Sequence, residues 1–427
     1  MKNRILTIIL ATMVAISAPA AAVSTVPDAV ISLDAVMAQA APRDVRPIFG
    51  LVHAASASSP SDNLIAPLHP VLWRAGRLTP DLAPRMRSAG ASPVHALSDV
   101  WGYPMDGRPA PFADMAAFSA QVRRQAERLG PDALYDVWNE ANSRDFWLGW
   151  FPQSPTRAQD AEMTFYDTFE AAYRAVERVH GPAAKVAGPS LNRYNFEALR
   201  RFMDAMLERG VRVDTLAWHD FPTTPEGIAA IETHLKEARR AFIDDPRYAS
   251  VGVRRLLVGE SMSYETSMSP GLVLAHLFHA EAGGASGLLR ACWDEPGQGR
   301  RSPVSNCWNN SLDGLLTADG APRAAYWAVA AYAGSAKGRV GSKMLAPGVY
   351  AIAARPAAGS ARILVASARR QAVTVRIPQR ATGVRVARIP LIGDGRAAMG
   401  RPRFQPVTAG TVQLGPQEVV MFEMADR

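Results

Sequence analysis

Leu134-Tyr-Asp-Val-Trp-Asn-Glu-Ala-Asn142 reads as a short apolar strand that runs out into an Asn-Glu pair. Far downstream, Arg255-Leu-Leu-Val-Gly-Glu260 reads as a second strand that ends on a carboxylate. Two strands that each deliver a Glu at the C-terminal end suit a parallel barrel, because such a barrel gathers its strand ends on one face.

Working outward, six more apolar runs take their places around these two. They are Ile48–His53, Val71–Arg74, Pro93–Leu97, Lys185–Gly188, Thr215–His219 and Gly287–Trp293. Helical stripes fall between most of them. Met115, Phe118, Val122 and Leu129 form one; Tyr166, Phe169, Tyr173 and Val176 another; Phe196, Leu199, Met203, Met206 and Leu207 a third, with Gly210 as a stop. Eight strands alternating with helices predict an α/β fold, a (β/α)₈ TIM barrel over residues 46–337, closed by a helix at Arg323–Tyr332. From about Gly338 the pattern turns to strands alone: Val349–Ala354, Ala361–Ala366, Val373–Ile377 and Val419–Glu423. A C-terminal β-sandwich domain is expected over residues 338–427.

The N-terminus reads as a signal peptide over residues 1–22. Lys2 and Arg4 precede a short apolar run, Ile5–Ile16, and Ala18-Pro-Ala20 and Ala20-Ala-Ala22 offer small-residue cleavage sites. Ala38-Gln-Ala40 is a further, more distant site. Residues 23–45 read as a weakly patterned lead-in. Export to the periplasm or the extracellular space follows, with no stable membrane insertion once the signal is removed, since the run is too short to favour a span. The net charge is +8, but only 5 of the 47 basic residues are lysines and no basic run is interleaved with aromatics. Nucleic-acid binding is therefore not expected. Cys292 and Cys307 are free to pair after export, and their spacing is wrong for a zinc site. His219-Asp220 lacks a third metal ligand at strand or helix spacing, so neither a metal nor a cofactor is expected.

Cleavage of a glycosidic bond needs one carboxylic acid to protonate the leaving oxygen and a second carboxylate to attack or to activate water. Glu140 and Glu260 are candidates for that pair. Val137-Trp-Asn-Glu-Ala-Asn142 with Gly259-Glu260 resembles the retaining glycoside hydrolases of clan A, and in detail family 39, which holds β-xylosidases, α-iduronidases and exopolysaccharide hydrolases. The resemblance implies that Glu140 is the acid/base and Glu260 the nucleophile. It implies that Asn139 holds the sugar 2-hydroxyl, that Arg74 steadies the nucleophile and that His219 contacts it. It places Trp293 under the sugar, with His53 as a further contact, and makes the substrate a polysaccharide or oligosaccharide, bacterial exopolysaccharide or plant glycan. Trp138 and Trp218 offer further flat faces, and Phe146, Trp147 and Trp150 further subsites. The chain departs from the family at Ala141, where Pro is usual, and at Ser261, where an aromatic is common. Glu265 and Glu295 are rival nucleophiles, and Arg77 is a rival to Arg74. A transglycosylase or a non-catalytic glycan-binding barrel would share the same scaffold.

Overall fold

A computed structural model describes residues 30–37, 41–77, 79–292, 310–357, 360–378 and 381–425. The expected signal peptide, Trp293, Glu295 and Cys307 lie outside the described residues. Eight parallel strands close into a barrel. They are β1 (Phe49–Val52), β2 (Leu72–Ala75), β3 (Ser92–Ala96), β4 (Leu134–Asp136), β5 (Val186–Leu191), β6 (Thr215–Asp220), β7 (Arg255–Ser261) and β8 (Gly287–Arg290). The long outer helices are α1 (Thr79–Ser88), α2 (Met115–Leu129), α3 (Arg157–His180), α4 (Phe196–Glu208), α5 (Pro225–Phe242), α6 (Pro270–Ala282) and α7 (Ala324–Gly334). The crossover from β1 to β2 carries only a single turn of helix at Asp62–Ile65 and a 3-10 turn at Ala66–Leu68.

Helix starts follow the sequence. Asp114, Asn195, Thr224 and Ser269 each accept a hydrogen bond from a backbone N–H in the first turn of α2, α4, α5 and α6. Each barrel strand sends one apolar side chain into a shared interior layer: Val52, Leu72, Val94, Leu134, Ala187, Ala217, Leu257 and Leu289. Strand side chains alternate, so the next inward position lies two residues on. For β2, β4 and β6 that position is Arg74, Asp136 and His219. A polar layer therefore sits directly above the apolar plug, at the C-terminal end of the barrel.

The remaining chain builds a sandwich. Its larger sheet comprises β9 (Arg339–Ala346), β10 (Val349–Ala357), β11 (Ser360–Ser367), β13 (Thr382–Ile389), β14 (Gln405–Pro406) and β16 (Val419–Ala425), in the order β9-β10-β11-β16-β13-β14. The smaller sheet pairs β12 (Val373–Arg376) with β15 (Thr411–Leu414) and with Ile31–Ser32. Part of the weakly patterned lead-in read over residues 23–45 therefore belongs to the sandwich. Ile31 and Ser32 pair in parallel with Val375 and Arg376, and Leu33 and Val36 are fully buried in the sandwich core. The larger sheet is apolar on both faces. Ala351, Ala353, Ile363 and Val365 face the smaller sheet, while Tyr350, Ile352, Leu364 and Ala366 join the barrel core. Helix α6 is buried along Pro270–Ala280 between the two. A Cβ on Gly271 would stand 2.0 Å from the Ser367 carbonyl oxygen, so only glycine permits this approach of helix to sheet.

Candidate active site

Arg74 is the hub of the C-terminal face. It is buried, and its guanidinium donates to three acceptors. Nε reaches Asp136 Oδ2 at 2.7 Å, Nη1 reaches Glu260 Oε1 at 2.9 Å and Nη2 reaches Asn139 Oδ1 at 2.9 Å. Burial opposes its charge, but the carboxylates of Asp136 and Glu260 outweigh burial, and the net effect raises its pKa. The planar fork of arginine presents a separate nitrogen to each acceptor, whereas an ammonium has only one nitrogen to place. Arg77, the rival, instead donates to the Asp99 carbonyl at 2.8 Å.

Glu260 reaches the site through an irregularity in its strand. Alternation from Leu257 would turn Gly259 and Ser261 inward and Glu260 outward. The β6–β7 register, however, runs from Trp218↔Val258 directly to His219↔Glu260, so Gly259 is skipped as a bulge. The displaced frame brings Glu260 to Arg74. A Cβ on Gly259 would lie 3.3 Å from His219 Cδ2, so the imidazole packs over this glycine.

Strand β4 ends at Asp136, and Glu140 stands beyond it in the left-handed region at φ 48°. Its N–H donates to the Ser190 carbonyl at 2.9 Å. Ser190 is itself at φ 50°, within a register shift of β5, and its hydroxyl donates to Asp136 Oδ1 at 2.6 Å. One bulge thus holds both the backbone of Glu140 and the carboxylate that holds Arg74. The Glu140 side chain meets His219: Nδ1 and Oε1 are 3.0 Å apart. The expected contact of His219 with Glu260 is therefore corrected. The inward face of β6 carries the imidazole toward the strand-four loop, where it pairs with Glu140 instead.

Asn139 is held from two sides. Ser98 Oγ accepts from its N–H at 3.1 Å, and Arg74 takes its side-chain oxygen. Its amide nitrogen bonds no described residue and is left as a donor. Ser98 also contacts the Tyr103 hydroxyl at 3.1 Å, and that hydroxyl bonds Asp99. Burial, followed by the Asp99 charge, holds the Tyr103 hydroxyl protonated far above the ordinary phenol range. His53 ends β1 at φ 61°, with Nε2 3.7 Å from Asp99 Oδ2. Burial lowers its pKa against the opposing pull of Asp99, so the ring favours the neutral form. Arg74, Asn139, Glu140, His219 and Glu260 are thus brought into one connected cluster, with His53 at its edge through Asp99.

Other expectations fare differently. Trp138 and Trp218 are both fully buried in the hydrophobic core rather than set out as sugar platforms. Trp218 alternates with the inward Ala217 and His219, so it points at the helices and packs on Tyr194. Trp138 packs against Trp147 and Trp150, and Trp147 is buried as well. Glu265 is exposed on the loop after β7, outside the bonded cluster. Ser261 is buried and donates to the Asp220 carbonyl at 2.7 Å. Cys292 is disulfide-bonded. Sequence reading missed Asp136, Ser190, Ser98, Asp99 and Tyr103. Asp136 alone carried a usable signal, since it shares a strand face with the inward Leu134. Among the described residues, no three His, Cys, Asp or Glu side chains stand together as metal ligands, and no helix is long and apolar enough to cross a membrane.

No protein-family model and no curated protein sequence matches the chain. Solved structures do. A protein from Neocallimastix frontalis is similar at TM-score 0.66 and 14% identity, over 93% of this chain and 99% of that one. A glucosidase from Croceicoccus marinus is similar at TM-score 0.63 and 17% identity, over 94% and 100%. A family 30 endoxylanase from Clostridium papyrosolvens is similar at TM-score 0.51 and 15% identity, over 93% and 99%. The neighbours include clan A glycoside hydrolases, and at these identities the likeness establishes the fold: a (β/α)₈ barrel with a C-terminal sandwich.

Proposed function

We propose that this chain is an exported retaining glycoside hydrolase of the family 39 type, acting on a β-linked polysaccharide or oligosaccharide. The observation that carries the reading is the Arg74 fork, which ties Glu260 and Asn139 together beside Glu140. That is the set of groups the two-step chemistry uses, at the end of the barrel where such sites are built.

In the first step a Glu260 oxygen bonds to the anomeric carbon as the glycosidic C–O bond breaks. Glu140 gives its proton to the leaving oxygen. In the second step water attacks the same carbon and gives its proton to Glu140, and the bond to Glu260 breaks. Arg74 fixes the direction of the Glu260 carboxylate, and His219 fixes that of Glu140. The free amide nitrogen of Asn139 donates to the sugar 2-hydroxyl, an interaction that strengthens as the ring becomes oxocarbenium-like. The basic start, the apolar run and the small-residue sites of residues 1–22 support export.

The test is hydrolysis of a panel of aryl β-glycosides and of bacterial and plant polysaccharides by wild type, Glu140→Gln and Glu260→Gln. Both variants should lose activity by about 10³-fold or more, and wild type should release product of retained configuration by NMR. An inverted product, or activity that survives Glu260→Gln, defeats the assignment. A wild type inert on every substrate would leave a glycan-binding barrel, and glycosyl transfer to added acceptor sugars would mark a transglycosylase.

A further inference from the structure

A second concave feature lies on the flank of the barrel, outside the site above. Helix α7 and the Asp62–Leu68 turn form one wall, and the β11–β16 region of the sandwich forms the other. Together they bound a groove of about 540 Å³, within the size range of small-ligand sites. Trp327 and Phe404 supply aromatic surface, and Arg362 and Arg401 supply charge.

Three observations say what fits there. First, Tyr326 lines the groove and is 1% exposed, yet its hydroxyl makes no hydrogen bond to any described residue. The oxygen is not among the polar atoms sealed from solvent, so at the groove wall it is open to an acceptor from outside the chain. Burial pushes this hydroxyl up to about 12 even though Arg401 opposes the shift, so it is a donor at any ordinary pH. Second, the charge is one-sided. Arg362 and Arg385 share one carboxylate, Glu423, and Arg401 has no ion-pair partner among the described residues. Arg385 also lies over the Phe404 ring at 5.6 Å. Third, the groove pairs flat apolar faces with cations. That combination matches a pyranose ring bearing a carboxylate: the ring face stacks on an aromatic and the carboxylate takes a guanidinium.

We infer that the groove between α7 and the sandwich binds an anionic saccharide, a uronate-containing glycan, independently of the barrel cleft. Tyr326 donates to a ring or hydroxyl oxygen, and Arg401 pairs with the carboxylate. The inference stands whether or not Glu140 and Glu260 hydrolyse a bond, and its test is separable from theirs.

The experiment is calorimetric titration of the full chain with tetramers of galacturonate, mannuronate and glucuronate, with cellotetraose as the neutral control. The Glu140→Gln/Glu260→Gln double variant serves as a second host that cannot turn the sugar over. At least one uronate tetramer should bind both hosts, weaken with added salt and outbind cellotetraose at least tenfold. Arg401→Glu, on an exposed side chain, and Tyr326→Phe, which removes one oxygen, should each weaken it at least tenfold with the thermal midpoint unchanged. Aryl glycoside turnover should be unaffected by Arg401→Glu. The inference falls if no uronate binds, if cellotetraose binds equally, or if Arg401→Glu and Tyr326→Phe leave binding intact. It also falls if a crystal structure seats residues 293–309 or a second copy of the chain in the groove.

Discussion

Replacing Arg74 by Met tests the site where it is most constrained. The methionine matches the aliphatic stem but removes the three bonds of 2.7–2.9 Å to Asp136, Glu260 and Asn139. The Asp136 side chain is only 3% exposed and the Glu260 side chain 20%. Asp136 would then retain only the Ser190 hydroxyl among these partners, leaving a buried charge without its cation. Breaking a buried pair from one side costs about 3–5 kcal/mol, and the exposure of Glu260 puts its share at the lower end. A fall of about 3 kcal/mol is therefore expected in urea unfolding. Adding Asp136→Asn should return much of it, because the orphaned charge is removed; the non-additivity of the cycle measures the coupling. Activity should not return with stability. Glu260 and Asn139 both lose their anchor, and misplacement by about 1 Å is worth about 10²-fold in rate. Arg74→Lys should also stay impaired, since one ammonium does not reach three acceptors. If Arg74→Met retains stability within about 1 kcal/mol, or if the double variant recovers turnover, the hub role assigned to Arg74 is wrong.

Two further outcomes follow from local geometry. Gly259→Ala places a Cβ 3.3 Å from the buried His219 ring; overpacking of this kind costs roughly 1–3 kcal/mol, and because His219 holds Glu140, kcat/KM should fall more than urea stability implies. Acid should destabilise the fold through buried histidines. His95 and His276 are lowered to about 4, first by burial, against an ordinary value of 6.5. The unfolded chain binds those protons near pH 6.5 and the folded chain does not, so stability is full above 6.5 and lost as pH falls toward 4, on the order of a few kcal/mol. Melts at pH 7 and pH 4.5 should show the loss, and His95→Phe with His276→Leu should reduce it; an unchanged pH slope would count against these two residues.

The barrel was readable because each strand is a short apolar run set between helical stripes. All eight expected runs become strands, the one at Leu134 ending sooner than its apolar pattern. The position of the two carboxylates was readable from the strand ends, but their aim was not. Glu260 turns inward only because the β6–β7 register skips Gly259, and Glu140 is held at positive φ by the Ser190 bulge. Register is a relation between strands far apart in sequence, so a single stretch does not display it. Trp138 and Trp218 failed as platforms for the same reason: an aromatic at the end of a strand looks the same whether it faces the cleft or the helices. In the sandwich, β9, β13, β14 and β15 escaped notice. The exposed positions of β13 carry Arg385 and Arg388 between buried Val384, Val386 and Ile389, which dilutes the apolar signal.

The N-terminal segment turns the same lesson into a constraint on processing. Two kinds of small-residue cleavage site are present, Ala18–Ala22 and Ala38-Gln-Ala40. Composition alone favours the first only by its nearness to the apolar run. The fold separates them more firmly. Cutting after Ala40 would discard Ile31–Ser32, which flanks β12, together with Leu33 and Val36, which are fully buried in the sandwich core. Removing two such side chains forfeits roughly 3–6 kcal/mol of apolar burial, and it strips β12 of a neighbour, leaving an unpaired edge. The larger sheet backs α6, and α6 follows the loop after Glu260, so the loss would be felt near the cleft. Once processed, the chain should therefore begin at about residues 21–23 on N-terminal sequencing. A chain made to start at Ala41 should melt well below one that starts at Val23. Equal melting of the two would show that the segment adds nothing, and would return Ala38-Gln-Ala40 to equal standing as the processing site.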